Sequence, residues 1–114
     1  MWIMVSGPYT AGGADAARRA ENLRTLNKAA VALLRAGHVP VIGVNMALPM
    51  IEAAGGGASA HRDIMMPLSL ALAERCDACL RLGGSSQGAD DEAARFAANG
   101  RPVYRNLEEI PVPS

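Results

Sequence analysis

Two glycine-rich loops and one acidic helix start hold the residues best suited to chemistry. The loops run from Ser6 to Gly13 and from Gly83 to Gly88, and each separates an apolar segment from a helical pattern. Free N–H groups at a helix start favour anions, although neither loop contains a Walker A or a G-x-G-x-x-G motif and each could be a plain turn. Asp90, Asp91 and Glu92 open the helix after the second loop. The helix dipole explains the aspartates and could explain Glu92, but Glu92 lies further into the first turn and could point over a sheet edge towards a ligand.

These loops belong to an alternation of strands and helices. Apolar runs predict four short strands: Met1–Ser6, Val39–Ile42, Cys79–Leu82 and Pro102–Tyr104. Helical spacing predicts three helices: one from the N-cap Asp15 to about Ala36, one from Pro67 through Arg75, and one from about Ala89 to Ala98. We therefore expect one α/β domain over residues 1–114, with a Rossmann-like parallel sheet of four or five strands flanked by helices. The preferred strand order is 2-1-3-4, with the proline-containing second strand at an edge.

This order brings the two loops together. The first and third strands become neighbours, and the switch point between them is where ligands bind in such sheets, outside the carboxyl ends of the strands. The chain between the second strand and Pro67 is less regular. Gly43 to Leu48 is expected to leave the sheet, and Ala53 to Ala60, with three glycines, is expected to form a flexible loop or lid.

Charge and hydropathy exclude several classes of partner. The 11 basic and 11 acidic residues balance, and no basic stripe indicates a nucleic acid polymer as partner. No run approaches the length of a membrane span, and the apolar start is too short and lacks the basic flank of a signal peptide, so we expect no membrane partner and a cytoplasmic location. A net charge of zero also permits a homo-oligomer.

Cys76 and Cys79 form a C-x-x-C pair. A redox pair of the thioredoxin kind opens a helix after a strand, whereas this pair closes a helix and enters a strand. No second pair completes a zinc ribbon, and neither His38 nor His61 has ligand spacing to the thiols. We expect two reduced, partly buried thiols, with a redox role as the alternative, and neither a metal nor a cofactor.

An ordered set of motifs resembles the nucleoside 2-deoxyribosyltransferase superfamily, and above all its small bacterial members. The set covers nearly the whole chain and comprises Ser6-Gly7-Pro8-Tyr9-Thr10, Glu21-Asn22-Leu23, Cys76-Asp77-Ala78, Ser86-x-Gly88-Ala89-x-x-Glu92 and Gly100-x-Pro102-Val103-Tyr104. The resemblance implies that the ligand is a nucleoside or nucleotide and that the protein forms a homo-oligomer.

The same resemblance implies roles for individual residues. Glu92 would attack or electrostatically stabilise the anomeric carbon, which suits the oxocarbenium-like transition state of N-glycosidic cleavage. Ser6, Gly7, Pro8 and Tyr9 would lie beside the sugar and base. Ser86, followed by Gly88, would favour a 5′-phosphate, with a plain loop or N-cap serine as the alternative.

One position departs from the resemblance. An aspartate that handles the departing base is expected where this chain has Ser69, and Asp63, almost two turns earlier, is an uncertain substitute. His61, Arg62 and Asp63 could supply polar groups or could simply be a solvated helix start. Two functions therefore compete, an N-glycosidase or deoxyribosyltransferase and a non-catalytic nucleotide-binding module. A third, a phosphoribohydrolase of the lysine-decarboxylase-like type, has Leu82-Gly83-Gly84 and Glu92 in its favour but lacks the expected threonine between them.

Overall fold

A four-stranded parallel sheet organises the protein. The structure is a computed structural model and describes residues 1–113. Its strands are β1 (Trp2–Ser6), β2 (Val39–Val41), β3 (Ala78–Arg81) and β4 (Val103–Tyr104), in the order β2-β1-β3-β4. All three strand pairs are parallel. The predicted fold class and strand order are confirmed, and β2 with its proline lies at an edge as predicted.

Within residues 1–113, four helices and one 3-10 turn accompany the sheet. They are α1 (Ala16–Arg35), α2 (Gly43–Ala53), α3 (Gly57–Ala73), α4 (Gln87–Ala98) and the 3-10 turn Leu107–Glu109. The side chain of Asp15 caps α1 as expected by accepting from the Arg18 N–H. Gly37, with a φ of 96°, follows the end of α1 as a glycine after a helix C-terminus commonly does.

The two faces of the sheet are covered by different helices. On one face, Ile3 and Val5 of β1 pack with Leu26 and Leu33 of α1. On the other face, alternate residues of the same strands pack against α3 and α4, in a cluster of Met4, Ala73, Cys76, Cys79, Ala93 and Phe96. Because side chains alternate along a strand, Ser6 and Arg81 point towards the α3 and α4 face. These two residues are register partners at the carboxyl ends of β1 and β3.

The chain leaves the sheet at Gly43 as expected, but the prediction of a loop or lid over Ala53 to Ala60 is wrong for most of that range, because α2 and α3 are separated by three residues only. Gly43 begins α2, and α3 begins at Gly57, ten residues before Pro67. The two helices pack on each other through Ala47 and Ile51 of α2 and Met65 of α3. This packing outweighs the two internal prolines, Pro49 and Pro67, which are exposed on the helix surfaces so that water can satisfy the carbonyl groups they leave unpaired.

The three glycines join α2 to α3 in a tight turn. Gly55, Gly56 and Gly57 all have positive φ angles, of 96°, 71° and 87°, a region that side chains with a Cβ rarely adopt. They reverse the chain between two helices instead of forming a lid. The reversal brings one face of α3 to the carboxyl ends of β1 and β3.

Candidate functional site

A cavity of about 260 Å³ lies at the carboxyl ends of β1 and β3, at the predicted switch point. We call it the Glu92 cavity. The β1–α1 loop, α2, α3 and the start of α4 each contribute to its wall. Its lining residues are Gly7, Tyr9, Thr10, Ala11, Val44, His61, Met65, Met66, Ser69, Ser86, Gln87, Gly88, Ala89 and Glu92.

Glu92 lies at the cavity wall on the first two turns of α4 and is half-buried. Burial raises the pKa of its carboxyl group from 4.5 to about 7. The hydroxyls of Ser6 and Ser69 and the guanidinium of Arg81 favour the ionised form and limit that rise, whereas Asp91 adds to it. The carboxyl group can therefore change its protonation state near neutral pH, which is typical of functional carboxylates in clefts.

Ser6 and Cys79 form a buried polar contact beneath the cavity. The Cys79 thiol donates to the Ser6 hydroxyl oxygen over 3.6 Å, and both residues are almost completely buried. Burial raises the pKa of Cys79 and of Cys76 to about 11, so both sulfurs remain protonated thiols. Both cysteines are free and buried, as expected, and such thiols are poor nucleophiles and poor redox centres.

Ser86 has two roles in the structure. Its hydroxyl oxygen accepts the N–H of Ala89 over 3.3 Å and caps α4, and the same residue lines the Glu92 cavity. The cap uses the oxygen as an acceptor and leaves the hydroxyl hydrogen free to donate to a ligand. The N-cap alternative and the ligand-binding prediction are therefore compatible.

Arg81 holds the second loop in place and was not predicted as a site residue. Its side chain is only 4% exposed and forms an ion pair of 3.0 Å with Asp90. It also donates to the carbonyl oxygens of Leu82 and of Gly84, the latter over 2.8 Å. The guanidinium thereby ties β3, the loop and α4 together. An arginine at the end of an apolar strand is the sequence signal that marks it.

The first loop is fixed by a motif residue. The Asn22 side chain donates to the carbonyl oxygen of Tyr9 over 2.9 Å, which holds that loop against α1.

Asp77, another motif residue, lies at the opposite end of the sheet, where its carboxylate accepts the Trp2 N–H over 2.8 Å. Asp77 therefore supports the start of β1 and is remote from the cavity.

Six of the predicted site residues line this cavity, and three do not. Gly7, Tyr9, Ser69, Ser86, Gly88 and Glu92 line it, whereas Ser6 is buried at the end of β1, where its hydroxyl interacts with the Glu92 carboxyl group. Pro8 instead lines a second cavity of about 430 Å³ on the other side of the β1–α1 loop, with Arg18 and Ser85. Asp63 is exposed on α3 and does not line the Glu92 cavity.

Met65 was missed, and His61 was considered only as part of a possible solvated helix start, because α3 begins earlier than predicted. His61, Met65 and Ser69 follow one another at intervals of four residues and therefore share one helix face. All three line the cavity. The period of four was visible in the sequence, but it could be used only if the helix were extended in front of Pro67.

Gly43, the first residue of α2, approaches Ser69 so closely that a side chain would disturb the site. A Cβ on Gly43 would overlap the Ser69 hydroxyl and lie 3.1 Å from the Ser69 Cβ. We expect Gly43→Ala to lower the free energy of unfolding by about 1–3 kcal/mol, measured by urea denaturation.

Gly84→Ala is the matched control for this prediction, because a Cβ there meets nothing within 4 Å. Adding Ser69→Gly to Gly43→Ala should recover part of the lost stability by removing the overlapping group. A Gly43→Ala variant as stable as the control would contradict the close approach of α2 to α3.

Metal and membrane features are not found in the described part of the chain. Within residues 1–113, no three His, Cys, Asp or Glu side chains are grouped so that they could hold a metal ion. No helix in the same range is both long enough and apolar enough to cross a membrane.

Comparison with protein families finds no matching family model, and comparison with curated proteins finds no match. The resemblance to the nucleoside 2-deoxyribosyltransferase superfamily therefore stays a prediction from the motifs.

Proposed function

We propose that this protein binds a nucleoside or nucleoside 5′-monophosphate in the Glu92 cavity and breaks its N-glycosidic bond, by hydrolysis or by transfer of the sugar. The observation that carries the proposal is the half-buried Glu92 carboxyl group, with a pKa of about 7, in the wall of a cavity at the switch point. The cavity volume, about 260 Å³, lies just below the roughly 300–1,000 Å³ of sites for drug-sized ligands and suits a compact ligand.

The cavity wall offers distinct chemistry for each part of such a ligand. Val44, Met65 and Met66 provide an apolar wall against which a flat base can pack, with the Tyr9 ring nearby. Glu92 is the group for the sugar. As the glycosidic bond breaks, positive charge develops at the anomeric carbon, and an ionised carboxylate stabilises that charge or traps the sugar covalently. The ionised form of Glu92 predominates above pH 7 or so.

The test is the release of free base from a panel of nucleosides, 2′-deoxynucleosides and their 5′-monophosphates. We expect at least one member to release its base in the presence of the wild-type protein and not with Glu92→Gln. Absence of both turnover and binding across the panel would contradict the proposal.

A second candidate function is nucleotide binding without catalysis, and Ser69 favours it. A serine hydroxyl is a very weak acid and cannot protonate a departing base as a carboxyl group would. Under this alternative Glu92 would accept a hydrogen bond from a ribose hydroxyl. Saturable binding of a nucleotide with no base released would support this function over the first.

We expect Ser86 to favour a phosphorylated ligand. Ser86, Gln87 and Gly88 at the start of α4 line the cavity, N–H groups at a helix start favour anions, and hydrogen bonds to a charged group are stronger than neutral ones. The wild type should bind the monophosphate more tightly than the nucleoside, and Ser86→Gly should reduce that ratio about tenfold, as measured by calorimetry.

Glycine is used because it keeps most of the N-cap stability that alanine would lose. Ser85→Gly is the control, since Ser85 is exposed and lines the second cavity. Tighter binding of the bare nucleoside by the wild type would contradict this role of Ser86.

We also propose a homo-oligomer. Met46 and Met50 are 49% and 45% exposed and lie four residues apart on α2, so they form an apolar surface on one helix face. Light scattering at micromolar concentration should therefore give a mass of at least twice 11.8 kDa, and Met46→Glu should reduce it. A wild-type mass of a single chain would contradict the oligomer.

A further inference from the structure

Neither the sequence motifs nor the expected role of Ser69 gives His61 a part in the reaction. It is half-buried on the first turns of α3, and it lines the Glu92 cavity on the same helix face as Met65 and Ser69. Its sequence neighbours Arg62 and Asp63 are exposed and do not line the cavity. His61, and not the adjacent charged residues, therefore lies at the cavity wall.

A departing base needs a proton donor that is separate from the group stabilising the sugar. Of the described residues that line the cavity, three have side chains that ionise: Tyr9, His61 and Glu92. The Glu92 carboxylate balances the positive charge on the sugar and so is not available to protonate the base. Imidazole is the side chain that most often acts as the proton donor in general acid catalysis, and phenols do so less often.

We propose that His61 protonates the departing base in the reaction proposed above, on which this inference rests. The electron pair of the bond between the anomeric carbon and the base nitrogen moves onto the base as that bond breaks. The imidazolium gives its proton to a ring nitrogen of the base, which leaves as a neutral molecule, and His61 becomes neutral. In hydrolysis, water then adds its oxygen to the anomeric carbon and its proton returns to the imidazole.

With His61 as the proton donor for the base and Glu92 as the carboxylate for the sugar, base release does not need an acid at position 69. Ser69 lies four residues after Met65 on the same face of α3. Its hydroxyl favours the ionised form of Glu92 and so limits the rise of the Glu92 pKa. His61 lies eight residues before Ser69 on the same helix. The donor for the base and the carboxylate for the sugar are thus supplied by different helices, α3 and α4, on different parts of the cavity wall.

The test compares substrates that differ in their need for a proton. Guanosine and 2′-deoxyguanosine 5′-monophosphates release a poor leaving group unless the base is protonated, whereas their 7-methyl derivatives carry a positive charge and release a neutral base without a proton. We expect His61→Gln to lower release of guanine by about 10²–10⁴-fold and release of 7-methylguanine by less than about tenfold. Arg62→Gln, an exposed neighbour on α3, should release both bases at the wild-type rate.

Each other outcome overturns a different statement. Equal losses on both substrates would show that His61 holds the ligand and is not the donor, and unchanged rates would remove it from the reaction altogether. If the wild type releases no base from any substrate, the proposed function fails and the role of His61 fails with it. The unfolding midpoints of His61→Gln and of a second variant, His61→Asn, are compared with that of the wild type. Loss of base release in a variant with the wild-type midpoint is not caused by misfolding.

Discussion

Replacing Glu92 with glutamine is expected to lower kcat for base release by about 10²–10⁴-fold while changing the dissociation constant of the ligand only a few-fold. Glutamine keeps the size and hydrogen-bonding capacity of the side chain but removes the charge. The charge matters most when the anomeric carbon becomes cationic, and interactions that strengthen only in the transition state change kcat more than binding. Single-turnover kinetics and equilibrium binding with the same nucleotide separate the two quantities.

Glu52→Gln is the matched control for this result, because it makes the same change of side chain away from the site. Glu52 lies on α2, is exposed and does not line the Glu92 cavity. It should retain kcat close to that of the wild type. Unchanged turnover in Glu92→Gln would remove the carboxylate from the reaction, whatever the binding data show.

The second large effect concerns stability and needs no ligand. The pKa of Glu92 is about 7 in the folded protein and 4.5 without the effect of burial, so the folded state holds the proton more tightly than the unfolded state. Stability therefore falls as pH rises from about 4.5 to about 7, and the full cost of the buried charge remains above that range. A rise of this size corresponds to a cost of up to roughly 3 kcal/mol.

Glu92→Gln removes this cost, because an amide does not ionise. Urea denaturation of both proteins between pH 4 and pH 8 should show the variant gaining stability over the wild type as pH rises, with most of the change between pH 4.5 and 7. Other titrating groups are common to both proteins and cancel in the difference. A difference that does not vary with pH would contradict the burial of this carboxyl group.

The two results together would identify Glu92 as a residue retained at a cost to the fold. A variant that is more stable but less active is the usual outcome when a charged group is buried for the sake of a reaction. If Glu92 only complemented the dipole of α4, its removal would lower stability instead, since an acidic group near a helix start is stabilising.

The position of the cavity follows from local signals once a strand order is chosen, and the order 2-1-3-4 was a preferred choice among possible orders that the structure confirms. Glycine loops after apolar strands mark where the chain leaves the sheet, and the switch point follows from the order of the strands. The place of Glu92 near a helix start left the helix dipole as an alternative explanation, and the motif resemblance is what singled it out. These signals need no knowledge of which helices pack together.

The helix pair α2 and α3 could not be predicted in the same way. Pro49, Pro67 and the glycines at 55–57 are local signals for breaks, and only the contact of Ala47 and Ile51 with Met65 shows that a helix pair outweighs them. That contact is tertiary. Without it, the sequence could not show that His61, Met65 and Ser69 share one face of a single helix.

Arg81 was missed for a different reason. An arginine in a strand is ordinarily solvated, and the sequence does not show that three acceptors, Asp90 and the carbonyl groups of Leu82 and Gly84, surround this one. A buried guanidinium is stable only when such partners are in place. The chain around positions 81–90 supplies them all, but only once the loop is folded.

The rate at which thiol reagents modify the buried Cys76 and Cys79 also reports how often the sheet opens. Thiol reagents attack the thiolate, and burial both hides the sulfur atoms and keeps them protonated at neutral pH. Modification therefore has to wait for transient opening around β3. At low reagent concentration its rate follows the equilibrium between closed and open forms, and at high concentration it follows the opening rate itself. Because the Cys79 thiol contacts Ser6 beside the Glu92 cavity, a ligand that closes the site should slow modification of Cys79 more than that of Cys76, which lies next to Asp77 at the opposite end of the sheet.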